Sequence, residues 1–162
     1  MTEEHGREIC RWRYEPPYDL YNWEDWDVMQ AEGQEFADSA LRAAQYASVL
    51  DGKNRLIGFI QFFPLEGDPI GTTRLGLGLR PDLCGLQSGI GVAFLRACTE
   101  EALRRDPRKA VDLEVLTWNL RAIKTYERSG FRVVDRYVRM TPAGEMDFLC
   151  MEYEGSPQSG PI

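Results

Sequence analysis

Histidine is almost missing from this sequence: His5 is the only one among 162 residues. With no second imidazole and no cluster of other ligands around it, a metal site is not expected. His5 reads instead as a solvated residue of a disordered start. Cysteine is sparse as well, and Cys10, Cys84, Cys98 and Cys150 stand far apart with no Cys-x-x-Cys pair among them. That spacing argues against thiol chemistry. Without a secretory pattern before them, the expectation is reduced thiols in a cytoplasmic protein. No apolar run approaches the ~18 residues of a membrane-spanning helix, so no membrane association is expected. A basic excess is also lacking: 19 Lys and Arg face 26 Asp and Glu, a formal net charge of −7. A nucleic-acid platform needs a basic face, so nucleic acid is not an expected partner. An acidic field modestly favours a cationic, amine-bearing one. No internal repeat is visible.

Apolar residues are plentiful, at 43% with 11% aromatic, which suits a single domain with a substantial core. The expected domain spans residues 1–153, and the Gly-, Ser- and Pro-rich stretch 154–162 reads as a flexible tail. Glu8 to Tyr14 is predicted to start a sheet, ended by Glu15-Pro16-Pro17-Tyr18. Asp19 to about Ala44 carries mixed helical signals, read as one or two short helices. Gln45 to Leu50 and Arg55 to Leu65 are predicted strands across a hairpin turn at Asp51-Gly52-Lys53-Asn54. Glu66 to Pro69 reads as a loop. Phe131 to Met140 and Glu145 to Tyr153 are predicted as a closing strand pair. The aromatic group Trp12, Tyr14, Tyr18, Tyr21, Trp23 and Trp26 fits either helix packing on the sheet or a pocket lining.

Two segments carry chemistry. In the first, alternating Leu75-Gly76-Leu77-Gly78-Leu79 leads to Leu86-Gln87-Ser88-Gly89-Ile90-Gly91 and then to a helical pattern. Phe94, Leu95, Cys98 and Ala102 fall on one face of that helix, and Arg96, Glu100 and Arg104 on another. A Gly-rich turn at a helix start offers unpaired backbone N–H groups and the positive end of the helix dipole, a seat for a phosphate. Alone, Gly-x-Gly also fits a plain structural turn. In the second, Val111-Asp112-Leu113-Glu114-Val115 is an alternating strand with Asp112 and Glu114 on one side. Asn119 is a good N-cap and Ser129-Gly130 a C-cap, so a helix is predicted from about Leu120 to Arg128. Ala122, Ile123 and Tyr126 share a face of it.

Leu113-Glu114-Val115, Asn119, Arg121-Ala122-Ile123, Tyr126-Glu127 and Gly130-Phe131 resemble the second half of the GNAT superfamily of N-acetyltransferases. Gly78 to Pro81 and the Gly89-Ile90-Gly91 turn are similar to the pyrophosphate-binding region of that family. The close similarity covers roughly Leu75 to Phe131. It implies an α/β (α+β) single domain with a central mixed, mostly antiparallel sheet of six or seven strands flanked by helices. It also implies an acetyltransferase with acetyl-CoA as cosubstrate, no metal, and a small amine or a protein N-terminus as acceptor; a homodimer is plausible for the family. Leu77, Gly78 and Leu79 would present backbone to the pantetheine arm. Leu86, Gln87, Ser88, Gly89, Ile90, Gly91 and Val92 would hold the pyrophosphate, with Asn119 and Ala122 on the cofactor side. Tyr126 would lie near the thioester sulfur as the general acid, and Glu114 matches a base of relatives that acetylate protein N-termini. One departure is that Leu86 stands where the family shows Arg or Gln, and Gln87-Ser88 where a Gly pair is common.

Each residue also has a plainer reading. Tyr126 fits a core tyrosine, Glu114 a solvated residue or a partner for Arg121, and Asn119 a mere cap. The alternative function is a non-catalytic acyl-CoA-binding or sensor domain.

Overall fold

Thr2 opens the first helix, α1 (Glu3–Ile9): its hydroxyl accepts from the His5 backbone N–H at 3.1 Å, and Glu3 and Glu4 place negative charge on the first turn. The computed structural model describes residues 1–65, 67–68 and 71–155. The expected strand from Glu8 to Tyr14 is therefore corrected: its first residues end α1, and the rest is turn and loop. His5 is corrected too, because it sits half-buried in α1 with Nδ1 2.8 Å from Ser48 Oγ. After α1 come a 3-10 turn (Tyr18–Tyr21), α2 (Trp26–Glu32), a second 3-10 turn (Glu35–Ala37) and α3 (Ser39–Gln45). The strands are β1 (Tyr46–Leu50), β2 (Leu56–Pro64) and β3 (Thr72–Leu79); a 3-10 turn (Pro81–Leu83) leads to α4 (Ile90–Arg105). β4 (Ala110–Leu116), α5 (Leu120–Arg128), β5 (Phe131–Thr141) and β6 (Gly144–Tyr153) complete the chain. The strands form a six-stranded sheet in the order β1-β2-β3-β4-β6-β5. β3 and β4 pair in parallel, whereas β1 with β2, β4 with β6 and β5 with β6 are antiparallel. The mixed, mostly antiparallel α/β sheet is the expected fold.

The chain divides into two compact units, Met1–Gln61 with Leu77–Leu86, and Phe62–Gly76 with Gln87–Ile162. In the first, the core is aromatic. Trp12, Trp26, Phe36, Tyr46 and Phe59 are buried with Ile9, Cys10 and Met29, and large rings make this small core worth several kcal/mol in buried area. Trp23 closes edge-on against Phe36, with ring centroids 5.0 Å apart. The β1–β2 hairpin turns where expected. Asp51 Oδ1 accepts from the N–H groups of Lys53 and Arg55 at 2.8 and 3.0 Å, and Asn54 takes the left-handed conformation at φ 59°. Those N–H donors, led by Arg55, hold the Asp51 carboxyl well below its usual range, at about 2.

In the second unit the core is mainly aliphatic. Phe94, Leu95, Cys98 and Ala102 form the buried face of α4, as their helical spacing requires. Val111, Leu113 and Val115 are buried on β4, and Met151 and Phe131 complete the apolar set. Burial pushes the Cys98 thiol up to about 12, and all four cysteines are free thiols. Of the predicted tail, Glu154 donates its N–H to the Gly130 carbonyl at 3.0 Å, and 156–162 lie outside the described residues, as do Glu66 and Pro69 of the predicted loop.

Candidate active site

The Gly-rich turn is an open helix mouth. Gly89 is the N-cap of α4 at φ 77°, a left-handed conformation that glycine takes without strain; no side chain caps the helix and no acid stands in its first turn. The first helical bond runs from Ala93 N–H to the Gly89 carbonyl at 3.0 Å. The N–H groups of Ile90, Gly91 and Val92 precede it and have no acceptor within the helix. Leu86, Gln87, Ser88 and Gly89 are exposed. Gln87 itself is left-handed at φ 51°. The residue standing where the family favours glycine thus keeps a glycine-like backbone, at a cost of roughly 1–2 kcal/mol.

α5 begins differently. Asn119 is only 7% exposed, and its Oδ1 accepts from the Ala122 N–H at 3.2 Å, so the predicted cap is present. The helix runs over the expected residues, Leu120–Arg128, and puts the half-buried Tyr126 two turns on, its ring 6.4 Å from Phe131. A Cβ added at Gly91 would meet Thr125 Cγ2 at 3.4 Å. The first turn of α4 therefore packs on α5 at Thr125, the residue before Tyr126.

Glu114 does not stand alone. Arg74 forks onto Asp112, with Nε to Oδ1 at 3.0 Å and Nη2 to Oδ2 at 2.7 Å, and reaches Glu114 Oε1 through Nη1 at 2.7 Å. The Tyr137 hydroxyl donates to the same Glu114 oxygen, and Arg139 Nη1 lies 2.9 Å from Oε2. Its partners thus include Arg74, Tyr137 and Arg139, none of them considered from the sequence. Asp112 and Glu114 hold Arg74 more firmly charged than a free guanidinium, Asp112 most strongly. Cys150 Sγ donates to Asp112 Oδ2 at 3.4 Å, and burial, reinforced by that carboxylate, raises the thiol to about 12. Chemically this is a closed ion cluster whose charges already balance.

The expected pantetheine edge, Leu77 to Leu79, lies in the first unit. Tyr14 Oη donates to the Leu79 carbonyl at 2.8 Å. Gly78 is buried against Phe59, where an added Cβ would fall 2.1 Å from the ring, so any side chain would displace the aromatic. Beside this edge is a hollow of about 220 Å³ walled by Tyr14, Tyr21, Trp23 and Phe59, with Leu77 and Gly78 at one side. The pocket alternative for the aromatic group thus holds for Tyr14, Tyr21 and Trp23, whereas Trp12 and Trp26 belong to the core. Among the described residues no group of His, Cys, Asp and Glu is arranged to hold a metal, and no helix is long and apolar enough to cross a membrane.

The model of the acetyltransferase (GNAT) family matches residues 7–131. The chain belongs to this family. The GNAT fold is also what solved structures share with it. A spermidine N-acetyltransferase chimera from Vibrio cholerae aligns with a TM-score of 0.69 at 16% identity, over 94% of this chain and 92% of that one. A GNAT-family acetyltransferase from Bacillus anthracis gives 0.58 at 18%, over 79% and 81%. Arabidopsis thaliana NAA60, solved with a bisubstrate analogue, gives 0.57 at 18%, over 87% and 94%. The comparison with curated proteins returned no significant match.

GNAT enzymes are acetyltransferases that use acetyl-CoA, and the mouth of α4 suits its diphosphate: main-chain donors without a helical acceptor, a dipole end and no acid in the first turn. The sequence-predicted site residues of the second unit, Gln87 to Val92, Asn119, Ala122 and Tyr126, lie on α4 and α5 or just before their first turns, and the two helices are in contact. Arg74, Tyr137 and Arg139 escaped sequence reasoning. They reach Glu114 from 23 to 40 residues away, and no local pattern signals such a contact.

Proposed function

We propose that this GNAT enzyme transfers the acetyl group of acetyl-CoA to a primary amine by direct attack, with Tyr126 as general acid. One observation carries the reading: the uncapped mouth of α4 packs through Gly91 on the helix that bears Tyr126. The N–H groups of Ile90, Gly91 and Val92 bind the diphosphate, and Asn119 orients the pantetheine arm while its Oδ1 caps α5. The neutral amine attacks the thioester carbonyl carbon, the carbon–sulfur bond breaks, and the Tyr126 hydroxyl gives its proton to the departing thiolate. The proton lost by the nitrogen passes to water. Glu114 contributes at most through that water, since Arg74, Tyr137 and Arg139 already occupy its oxygens. The acceptor is a small amine or a peptide N-terminus, and the name of the spermidine N-acetyltransferase neighbour supports the first class.

The engaged Glu114 also favours a second reading, a domain that binds acyl-CoA without turnover. Tyr126→Phe separates the two. For the enzyme, thiol release in an amine panel falls by roughly 10²–10⁴-fold while acetyl-CoA affinity stays within a factor of two or so. For a sensor there is no turnover to lose. Equal rates in wild type and variant would remove Tyr126 from the chemistry.

A further inference from the structure

The hollow of the first unit has a chemistry of its own. Four of its walls are aromatic faces, and among the described residues none of the lining side chains carries a charge. Leu20 (43% exposed) and Tyr21 (38% exposed) stand at its rim, so the opening is accessible to solvent. The walls are fixed before any ligand arrives. Trp23 packs edge-on against both Phe36 and Phe59, at 5.0 and 6.1 Å between centroids. Tyr14 is tied at both ends, its N–H to Asn22 Oδ1 at 2.7 Å and its hydroxyl to the Leu79 carbonyl at 2.8 Å. A preorganised wall loses little conformational entropy on binding.

Size and polarity select the occupant. A dry cavity of roughly 150 Å³ accepts a benzene, so about 220 Å³ has room for one aromatic ring with a short alkyl chain. Ring stacking on Tyr21 and Trp23 suits such a guest. A single ammonium passing the rim gains cation–π attraction on its way to the Leu77–Gly78 edge. A polyamine fares worse, because its second ammonium would be desolvated with no carboxylate in the lining to meet it, a penalty of several kcal/mol.

We propose that this hollow is the acceptor subsite and that the acceptor is an arylalkylamine, a primary amine on a short chain from an aromatic ring. The assignment rests on the acetyl-transfer reading above, since the amine must end at the edge that holds the pantetheine arm.

The test is a calorimetric titration of the full-length protein with 2-phenylethylamine, hexylamine, spermidine and a tripeptide with a free N-terminus, each with and without saturating CoA. Phenylethylamine should bind at least ~tenfold more tightly than spermidine or hexylamine, the scale of one aromatic contact set. Tyr21→Ala should weaken phenylethylamine about tenfold and leave CoA affinity unchanged. Leu20→Glu, a rim change away from the packed core, should shift the preference toward spermidine by up to about fivefold, as one added carboxylate would. Equal or tighter binding of spermidine, hexylamine or the tripeptide to wild type overturns the arylalkylamine assignment, as does a preference that survives Tyr21→Ala. If CoA does not bind but phenylethylamine still binds best, the acetyl-transfer reading falls and the ligand class of the hollow stands. If neither binds, both fall.

Discussion

Two helices start within the same unit, and they start in opposite ways. α5 opens on Asn119, buried, with its own side chain on the Ala122 N–H; α4 opens on Gly89, exposed, with neither cap nor acid. The far end of α4 sharpens the contrast. There Arg104 and Arg105 occupy the last turn, where a cation suits the dipole, and both bond Glu101. α4 thus balances the electrostatics of its C-terminal end and leaves its N-terminal mouth open. A glycine N-cap forgoes only a few tenths of a kcal/mol relative to a side-chain cap, and the open mouth suits an anion from outside the chain. The sheet cluster makes the same point in reverse: among the described residues Arg74, Asp112, Glu114 and Arg139 are all paired with one another.

The sharpest way to break this contrast is to open what is closed. Glu114→Gln leaves Arg74 and Arg139 short of a carboxylate and should destabilise the protein by about 1–3 kcal/mol in chemical denaturation. The pH dependence of kcat/KM should keep its acidic limb. Loss of that limb in the variant would restore Glu114 as the direct base. Next, closing what is open: Ser88→Asp sets a carboxylate at the mouth of α4, and acetyl-CoA should bind about tenfold more weakly with melting temperature unchanged or raised. Unchanged affinity would mean that the diphosphate sits elsewhere. Asn119→Ala then turns the capped start into an uncapped one. Thermal unfolding should show a loss of about 1 kcal/mol.

The smallest effect is a pH dependence at the closed end of α4. Hydrogen bonds from Arg104 and Arg105 hold the Glu101 carboxyl down at about 2, from an ordinary 4.5. A depressed carboxyl stabilises the fold above its unfolded pKa and loses that contribution as pH falls through its folded one. Melting temperature should therefore decline between about pH 4.5 and pH 2, and Glu101→Gln should flatten that decline. A parallel profile in the variant would assign the acid sensitivity to other carboxylates.

The second unit was largely legible in the sequence because its signals are local. Alternation marks β4, the four-residue spacing of Phe94, Cys98 and Ala102 marks α4, and Asn119 with Ser129-Gly130 bounds α5 to the residue. Residues 8–14 misled because the aromatic pattern around Trp12 outweighed a weaker helix signal. That signal was present: Thr2 with Glu3 and Glu4 behind it, and Arg7 four residues after Glu3, where the two side chains now pair at 2.8 Å. The Glu114 cluster was not legible, since its members meet only through sheet register: β3 with β4, β4 with β6, and β6 with β5. The hollow was half legible. Its aromatics were conspicuous, but which of them turn into the core and which line a cavity depends on tertiary packing.

The account stands or falls on the open mouth of α4, and the measurement that reaches it most directly is calorimetric titration of the protein with acetyl-CoA, with dephospho-CoA as control for the 3′-phosphate. The account predicts one-to-one binding in the micromolar range that is weakened by Ser88→Asp. No binding at millimolar acetyl-CoA would contradict it and leave Gly89 as the start of a helix that merely lacks a cap.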